Sequence, residues 1–568
     1  MTPAEIHRRR GEGRSAWCVA ALLALLGASA AGQDDLHALE ERTVAANADL
    51  SLLREMLEGE LDEGSCKILF HDPLWGVGAP GERTERLVRK DLHVFDVQRG
   101  EATEKQEPMA GLSASLPRWL ELNDRRLEFK ITGIEELEGG IRARVIVHGR
   151  GVSGAGLHQL NAEWVVAWTP GEEGALRISR IEIPAEQWVV TDGPMFAEVT
   201  RGVLSPDSGH TRLISWGCDT WVTRTDHVGD PHWFGHNGMA LGDVNGDGLE
   251  DLYVATGTGT PNLLFIRRPD GTLEERADEA GVAWLDDTKG VLLLDFDGDG
   301  DKDLMTAIGP ALVLCANDGS GKFTPARSLQ AETSSAFYSL AAADYDLDGD
   351  LDVYALRYVQ SAYGQSIPRP FQDARNGPRN HLLRNDGEGG FTDVTDQVGL
   401  GQNNDRFSLA AGWADVDEDG DPDLYVANDF GRNNLYRNDG GTFEDVAAEL
   451  GVEDQAAGMG VSWADVDRDG DLDLHVSNMF SSAGLRVAYQ PEFRADSDEA
   501  VRAGAQRLAQ GNSLFLNDPS AFRETGGQAG IRMGRWSWGG RFADLDGDGH
   551  EDLIVPNGFM TNEREDDL

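Results

Sequence analysis

Cysteine is scarce, with four in 568 residues. One of them, Cys18, lies in a leader-like stretch, and the remaining Cys66, Cys218 and Cys315 permit at most one disulfide within the chain. That excludes a disulfide scaffold and suits three buried small hydrophobes. Basic residues are also few: 50 Lys and Arg stand against 99 Asp and Glu, for a formal net charge of −49. Such a chain repels phosphate backbones and anionic lipids, which excludes nucleic-acid and membrane-surface binding. Long apolar runs are missing. The one candidate, from Ala16 to Leu26, follows Arg8, Arg9, Arg10 and Arg14 and precedes Ala28, Ser29 and Ala30. It is too short to span a bilayer, and with no Cys following for lipid attachment it reads as a secretory signal peptide over residues 1–33, leaving no transmembrane segment after cleavage. Catalytic signatures are absent as well: there is no HExxH, no G-x-S-x-G elbow and no Walker loop, and the GSGK at Gly319 lies inside the hairpin NDGSGKF.

What the chain has in abundance is one acidic nonapeptide, written six times: DVNGDGLED from Asp243, DFDGDGDKD from Asp295, DYDLDGDLD from Asp344, DVDEDGDPD from Asp415, DVDRDGDLD from Asp465 and DLDGDGHED from Asp544. The first, third, fifth and ninth positions place acids in a tight loop. They are Asp243, Asn245, Asp247 and Asp251; Asp295, Asp297, Asp299 and Asp303; Asp344, Asp346, Asp348 and Asp352; Asp415, Asp417, Asp419 and Asp423; Asp465, Asp467, Asp469 and Asp473; Asp544, Asp546, Asp548 and Asp552. These carboxylates repel one another unless a hard cation sits among them, and Gly at the sixth position allows the sharp turn, so up to six Ca²⁺ are expected. Asn245 gives the first loop one negative charge fewer and predicts weaker binding there. The loops are not EF-hands. Their twelfth positions are Val254, Thr306, Ala355, Val426, Val476 and Val555 rather than Glu, and the residues after the ninth (DLYVA, DLMTA, DVYAL, DLYVA, DLHVS, DLIVP) read as apolar strands rather than helices.

The loops recur about every fifty residues, a propeller-sized period. Each unit begins with a small-residue strand (GMALGD, GVLLLD, SLAAAD, AAGWAD, GVSWAD, GRFAD), turns through the acidic loop, returns as the apolar strand, and continues as a hairpin around NDG, clearest from Asn380 and from Asn433. Four strands per unit make a blade, and blades must stack radially to cover their faces. The fold expected is mainly β: a six- or seven-bladed β-propeller over residues 193–568, preceded by a small α+β domain over 34–192. Insertions at about 357–379 and 479–511 are expected to decorate one propeller face, the Ala- and Arg-rich half of the second being helical. The segment MFAEVTRGVL from Met195 echoes the fourth strand FTDVTDQVGL and is expected to complete the last blade, a chain truncated at Leu568 being the alternative.

These D-x-[DN]-x-D-G-x-x-D loops, apolar strands and N-x-L-x-x-N-D-G hairpins resemble FG-GAP/VCBS repeats, and more narrowly the cartilage-acidic-protein group, over about residues 195–568. The resemblance implies a secreted or surface propeller related to integrin α-subunit heads, with calcium in the loops. By analogy with integrin-type loops it also implies a backbone-carbonyl ligand at the seventh position: Leu249, Asp301, Asp350, Asp421, Asp471 and His550. No ASPIC-type module is read between the repeats and Leu568, a departure from many members of that group.

In the amino-terminal domain, apolar residues at Leu36, Leu39, Leu50, Leu53, Leu57 and Leu61 predict a helix, and LEFKITGI, IRARVIVHG, LNAEWVVAWT and LRISRIEIP predict strands. The order resembles NTF2-like domains, whose cone can hold a small ligand, with inert scaffold as the competing reading. Trp413 and Trp463 share the register of Leu241, Leu293, Ala342 and Phe542, which assigns them to core packing. His227, His232 and His236 are read as linker histidines in preference to a zinc or copper site. The reading that results is an exported, monomeric, calcium-binding module for an extracellular protein or glycan, at the cell surface, in the periplasm or secreted, and not an enzyme. The alternative is a polysaccharide lyase or hydrolase, with Arg369, Arg375, Arg379 and His381 as the first residues to test.

Overall fold

The computed structural model describes residues 33–558 except 60, 76–79, 90, 100–104, 172–174, 198, 205–237, 258, 331–334 and 359–372. The expected signal peptide (but for Gln33), Cys218, His227, His232, His236 and Arg369 lie outside the described residues. The chain divides into two compact units, Met1–Ala197 with Ser481–Gln506, and Glu198–Phe480 with Arg507–Leu568. No helix among the described residues is long and apolar enough to cross a membrane.

Unit 1 runs α1 (Gln33–Glu58), α2 (Glu63–Leu69), β1 (Phe70–Trp75), β2 (Pro80–Val88), β3 (Leu92–Arg99), β4 (Lys105–Gln106), α3 (Pro108–Ser115), α4 (Pro117–Leu120), β5 (Asn123–Leu137), β6 (Gly140–Ser153), β7 (Gly156–Pro170) and β8 (Leu176–Thr191). The strands form one sheet in the order β2-β3-β8-β7-β6-β5, with β1 beside β8 and β4 beside β1. The four long strands fall where the periodicity put them, and the helix ends at Glu58, short of Leu61. The strands β1 to β4 were not anticipated, because β2 is exposed along almost its whole length and shows no alternation to read. Trp119, Trp164, Trp168 and Trp188 fill the core. The Trp119 indole donates to the Leu57 carbonyl at 2.9 Å and the Trp168 indole to Asp49 at 3.0 Å, fastening α1 across the sheet.

The second insertion departs from expectation. Helix Ser482–Ala488 belongs to unit 1, where Arg486 donates to the Ile131 carbonyl and Gln490 to that of Ile134, both at 2.9 Å on β5. The Ala- and Arg-rich half is helical over Glu499–Leu508.

Unit 2 contains five four-stranded antiparallel sheets and, among the described residues, a two-stranded sixth of Arg541–Ala543 and Asp552–Ile554. Blade 1 is Met239–Gly242, Asp251–Val254, Leu263–Arg267 and Leu273–Glu275, and blades 2 to 5 repeat that order. Inner strands are rich in Gly and Ala because neighbours approach closely: a Cβ on Gly412 would lie 2.8 Å from Val461 of the next blade. Second strands are sealed on both faces, wholly buried over Asp352–Arg357 and Asp423–Asp429. Apolar clusters sit between successive blades, such as Tyr425 and Leu435 with Val461, Val476 and Phe522.

After the fourth strand the chain turns and crosses to the next blade's outer strand. Gly399, at φ 95°, must be glycine there, since a Cβ would meet the Phe443 carbonyl at 2.4 Å. Residues Thr200 to Leu204 make that same crossing to blade 1. Thr200–Val203 is a helical turn and Leu204 bridges Leu273 on the outer strand. The segment from Met195 does not form the fourth strand it echoes: Met195 and Phe196 are exposed and outside any strand.

Candidate metal centres

Each acidic loop folds around its first aspartate. Asp243 accepts backbone N–H bonds from Gly246 and Gly248, both at 2.8 Å, and Asp295 does the same with Gly298 at 2.8 Å and Gly300 at 3.0 Å. Asp344, Asp415, Asp465 and Asp544 each hold the fifth and sixth N–H groups at 2.8–3.2 Å. The fifth acid then accepts the seventh N–H, as Asp299 does from Asp301 at 3.0 Å. Sequence placed a sharp turn only at the sixth residue, yet the fourth is left-handed too: Gly246, Gly298 and Gly547 have φ near 73°, and Leu347, Glu418 and Arg468 adopt φ of 57°, 60° and 64°.

This winding gathers the carboxylates. Asp295, Asp297 and Asp299; Asp344, Asp346 and Asp348; Asp415, Asp417 and Asp423; Asp465, Asp467 and Asp473; and Asp544, Asp546 and Asp548 each bring one oxygen within 4.8 Å of the others. The donor set is all oxygen and anionic, which suits a hard divalent cation. An independent sign is the Oδ1 atom of Asp346, buried with no hydrogen-bond partner among the described residues. The carboxyls of Asp346, Asp417 and Asp467 are pushed above their ordinary range by burial and by the acids beside them. In the first loop Asn245 replaces the third carboxylate, and its side-chain oxygen accepts the Asp247 N–H at 2.9 Å.

The ninth aspartates have a further task. Asp251, Asp303, Asp352, Asp423 and Asp473 are fully buried. One oxygen accepts the N–H of the loop's own second residue and the other the N–H that ends the blade's third strand. For Asp423 these donors are Val416 at 2.8 Å and Asn438 at 2.7 Å. Burial pushes Asp303 up to about 6, and Asp352 and Asp423 up to about 7. At the seventh position the side chain of Asp421 is itself engaged, accepting the Gly440 N–H at 2.8 Å.

Sequence reasoning read the asparagine of N-D-G only as a turn former. In the structure it is a latch between blades. Asn317 donates from its side chain to the Val244 carbonyl, Asn385 to Phe296, Asn438 to Tyr345 and Asn517 to Val416, at 2.8–3.1 Å. Each acceptor is the second residue of the preceding blade's acidic loop, so the loops stand at the joints between sheets. Blade 1 has Arg267 at this place, its N–H bonded to Asp251 at 2.8 Å. The signal was present in the recurring Asn, but its partner is a carbonyl in another repeat.

The remaining candidates are accounted for by packing. Trp413 stands edge-on to Tyr354 at 6.4 Å and Trp463 to Tyr425 at 6.1 Å, between sheets. Arg375 pairs with Asp405 at 3.1 Å and Arg379 with Asp396. His381 lies between Asp393 at 2.8 Å and Arg357 at 3.1 Å. Cys66 and Cys315 are free and buried.

Four stretches, residues 243–306, 295–355, 373–426 and 415–476, match the FG-GAP-like repeat. This chain carries FG-GAP-like repeats. Its repeats are similar to those of cartilage acidic protein 1, at 31% identity over 156 residues with the Xenopus tropicalis protein, covering 26% of this chain and 23% of that one. The Homo sapiens protein is 27% identical over 169 residues, 28% of this chain and 23% of its own. The FG-GAP-repeat chain thus spans under a quarter of the length of these relatives. An Agrocybe aegerita lectin that recognises non-reducing terminal N-acetylglucosamine aligns over 56% of this chain and 74% of its own, at 17% identity and a TM-score of 0.34, a likeness too slight to bear on function.

Proposed function

We propose that this FG-GAP-repeat protein is an exported propeller whose acidic loops hold Ca²⁺, and that it serves as a binding or adhesion module for an extracellular protein or glycan. The observation that carries the calcium reading is the repeated gathering of loop carboxylates within 4.8 Å, together with the buried, unpartnered Oδ1 of Asp346. The first, third and fifth residues would hold the ion, joined in blades 4 and 5 by Asp423 and Asp473. Bound there, it supplies positive charge that cancels their repulsion. The rest belongs to the protein. The ninth aspartate fixes the loop to the third strand, and the Asn latch carries that order to the next sheet. Calcium is structural in this reading, and the propeller surface provides recognition.

Thermal unfolding with excess Ca²⁺ and with chelator tests it. A site held at a hundred times its dissociation constant adds about 2.7 kcal/mol, so chelation is expected to lower the melting temperature and calcium to restore it. An unchanged melting curve would refute the structural role. Incubation with glycan and protein arrays tests the module: retention without bond cleavage is expected, and cleavage would favour an enzyme.

A further inference from the structure

Unit 1 carries a positive cluster within this strongly acidic chain. The short helix α4 is seated by Trp119 over two glycines of β6: a Cβ on Gly149 would lie 2.6 Å from the Trp119 ring, and one on Gly151 2.9 Å from Leu122. That seat places Arg118 over the sheet. Its guanidinium carbon stands 4.4 Å from the Phe95 ring centroid and 5.4 Å from that of Trp188. Phe95 and Trp188 are register partners on β3 and β8, so they form one aromatic floor. Arg83 covers Phe95 as well, at 3.6 Å, and His158 on β7 stands edge-on to Trp188 at 6.3 Å.

Of the acids near Arg118, which are Glu186, Glu121 and Glu85, the first and the last are already engaged. Glu186 holds Arg99, whose Nε donates at 2.6 Å, and accepts the Trp188 indole N–H at 2.6 Å. Glu85 pairs with Arg83 at 2.6 Å. Among the described residues Arg118 makes no hydrogen bond and no ion pair, although burial and the neighbouring Arg83 both press its charge down. His158 is 6% exposed. Its Nε2 meets the Ser153 hydroxyl at 2.7 Å, while its Nδ1 is buried without a partner. With Ser153 donating to Nε2, Nδ1 carries the proton and is a free donor. A guanidinium held over aromatic rings without a hydrogen-bond partner retains N–H donors that match two oxygens of a carboxylate or phosphate.

We propose that this face of unit 1 binds a small ligand through an oxyanion group. The Arg118 edge takes two of its oxygens, His158 donates a further hydrogen bond, and Arg83 adds charge. This site is independent of the calcium loops. Calorimetric titration of the full chain with sodium benzoate and, separately, with inorganic phosphate at constant ionic strength tests it. One site per chain is expected for at least one probe. Benzoate alone would identify a carboxylate ligand, and phosphate alone a phosphoryl ligand. Arg118→Gln is expected to weaken binding at least about tenfold, the scale of a lost charge-assisted hydrogen bond, while the chain stays folded and loses no more melting temperature than its contact with the two rings supplies. Arg118→Lys, which keeps the charge and loses the fork, is expected to bind measurably more weakly than the parent. The idea fails if neither probe binds, or if Arg118→Lys binds as tightly as the parent.

Discussion

Asn438 offers the sharpest test of how the blades are joined. It is fully buried, and its side chain donates to the Tyr345 carbonyl of the preceding blade at 2.8 Å and to Pro422 at 3.2 Å, while accepting the Gly441 N–H at 2.8 Å. Asn438→Ala leaves the backbone bond to Asp423 intact and strips the rest. A buried polar group left without its partner costs about 1–3 kcal/mol. With the Tyr345 carbonyl and the Gly441 N–H both deprived inside a sealed joint, the expected loss is about 2–4 kcal/mol. Asn517→Ala is the internal control. Asn517 is only partly buried and makes one such inter-blade bond, to Val416 at 3.1 Å, so about half the effect is expected. Urea unfolding of the calcium-loaded protein, followed by tryptophan fluorescence, measures both. A loss below about 0.5 kcal/mol for Asn438→Ala, the range of an ordinary surface change, would refute the latch. So would a larger effect at Asn517.

Two buried titratable groups give opposite pH dependences. Asp429 is held by the Tyr358 hydroxyl at 2.6 Å, and burial pushes its carboxyl up to about 7 from 3.8. Its contribution is therefore full below the unfolded value and lost as pH rises through about 7, at about 1.4 kcal/mol per unit. Asp429→Asn is expected to flatten the melting temperature between those limits and to melt above the parent on the alkaline side; parallel curves would sink the argument. His475, buried with both ring nitrogens unpartnered and edge-on to Phe542 at 5.9 Å, is pushed down to about 4 from 6.5. Here stability is present above 6.5 and lost as pH falls through about 4. Met305 occupies the matching position of blade 2, so His475→Met is expected to fold and to resist acid unfolding, as circular dichroism against pH would report. An unchanged acid midpoint would count against it.

The acidic loops were legible because everything that makes them lies within nine residues. Repulsion between alternate carboxylates, the glycine turn and the change to apolar alternation are local, and a sixfold repeat made the pattern plain. The left-handed fourth position escaped notice because Leu347, Glu418 and Arg468 carry no glycine signature there. The Asn latch escaped for a different reason: the intervals from Asp303 to Asn317 and from Asp352 to Asn385 differ because an insertion intervenes, and the acceptor is a backbone carbonyl that any residue can supply.

The sequence by itself determined the repeat, the four-stranded unit and the fold class. Only the tertiary structure decided that the loops stand at the joints between sheets, that helix Ser482–Ala488 packs with the amino-terminal unit, and that Arg83, Arg118 and His158 meet on one aromatic floor. The division follows range. Turn geometry and strand periodicity are set by neighbours in the chain, whereas a buried hydrogen bond or an unpaired charge depends on partners tens to hundreds of residues away, fixed only when the sheets pack.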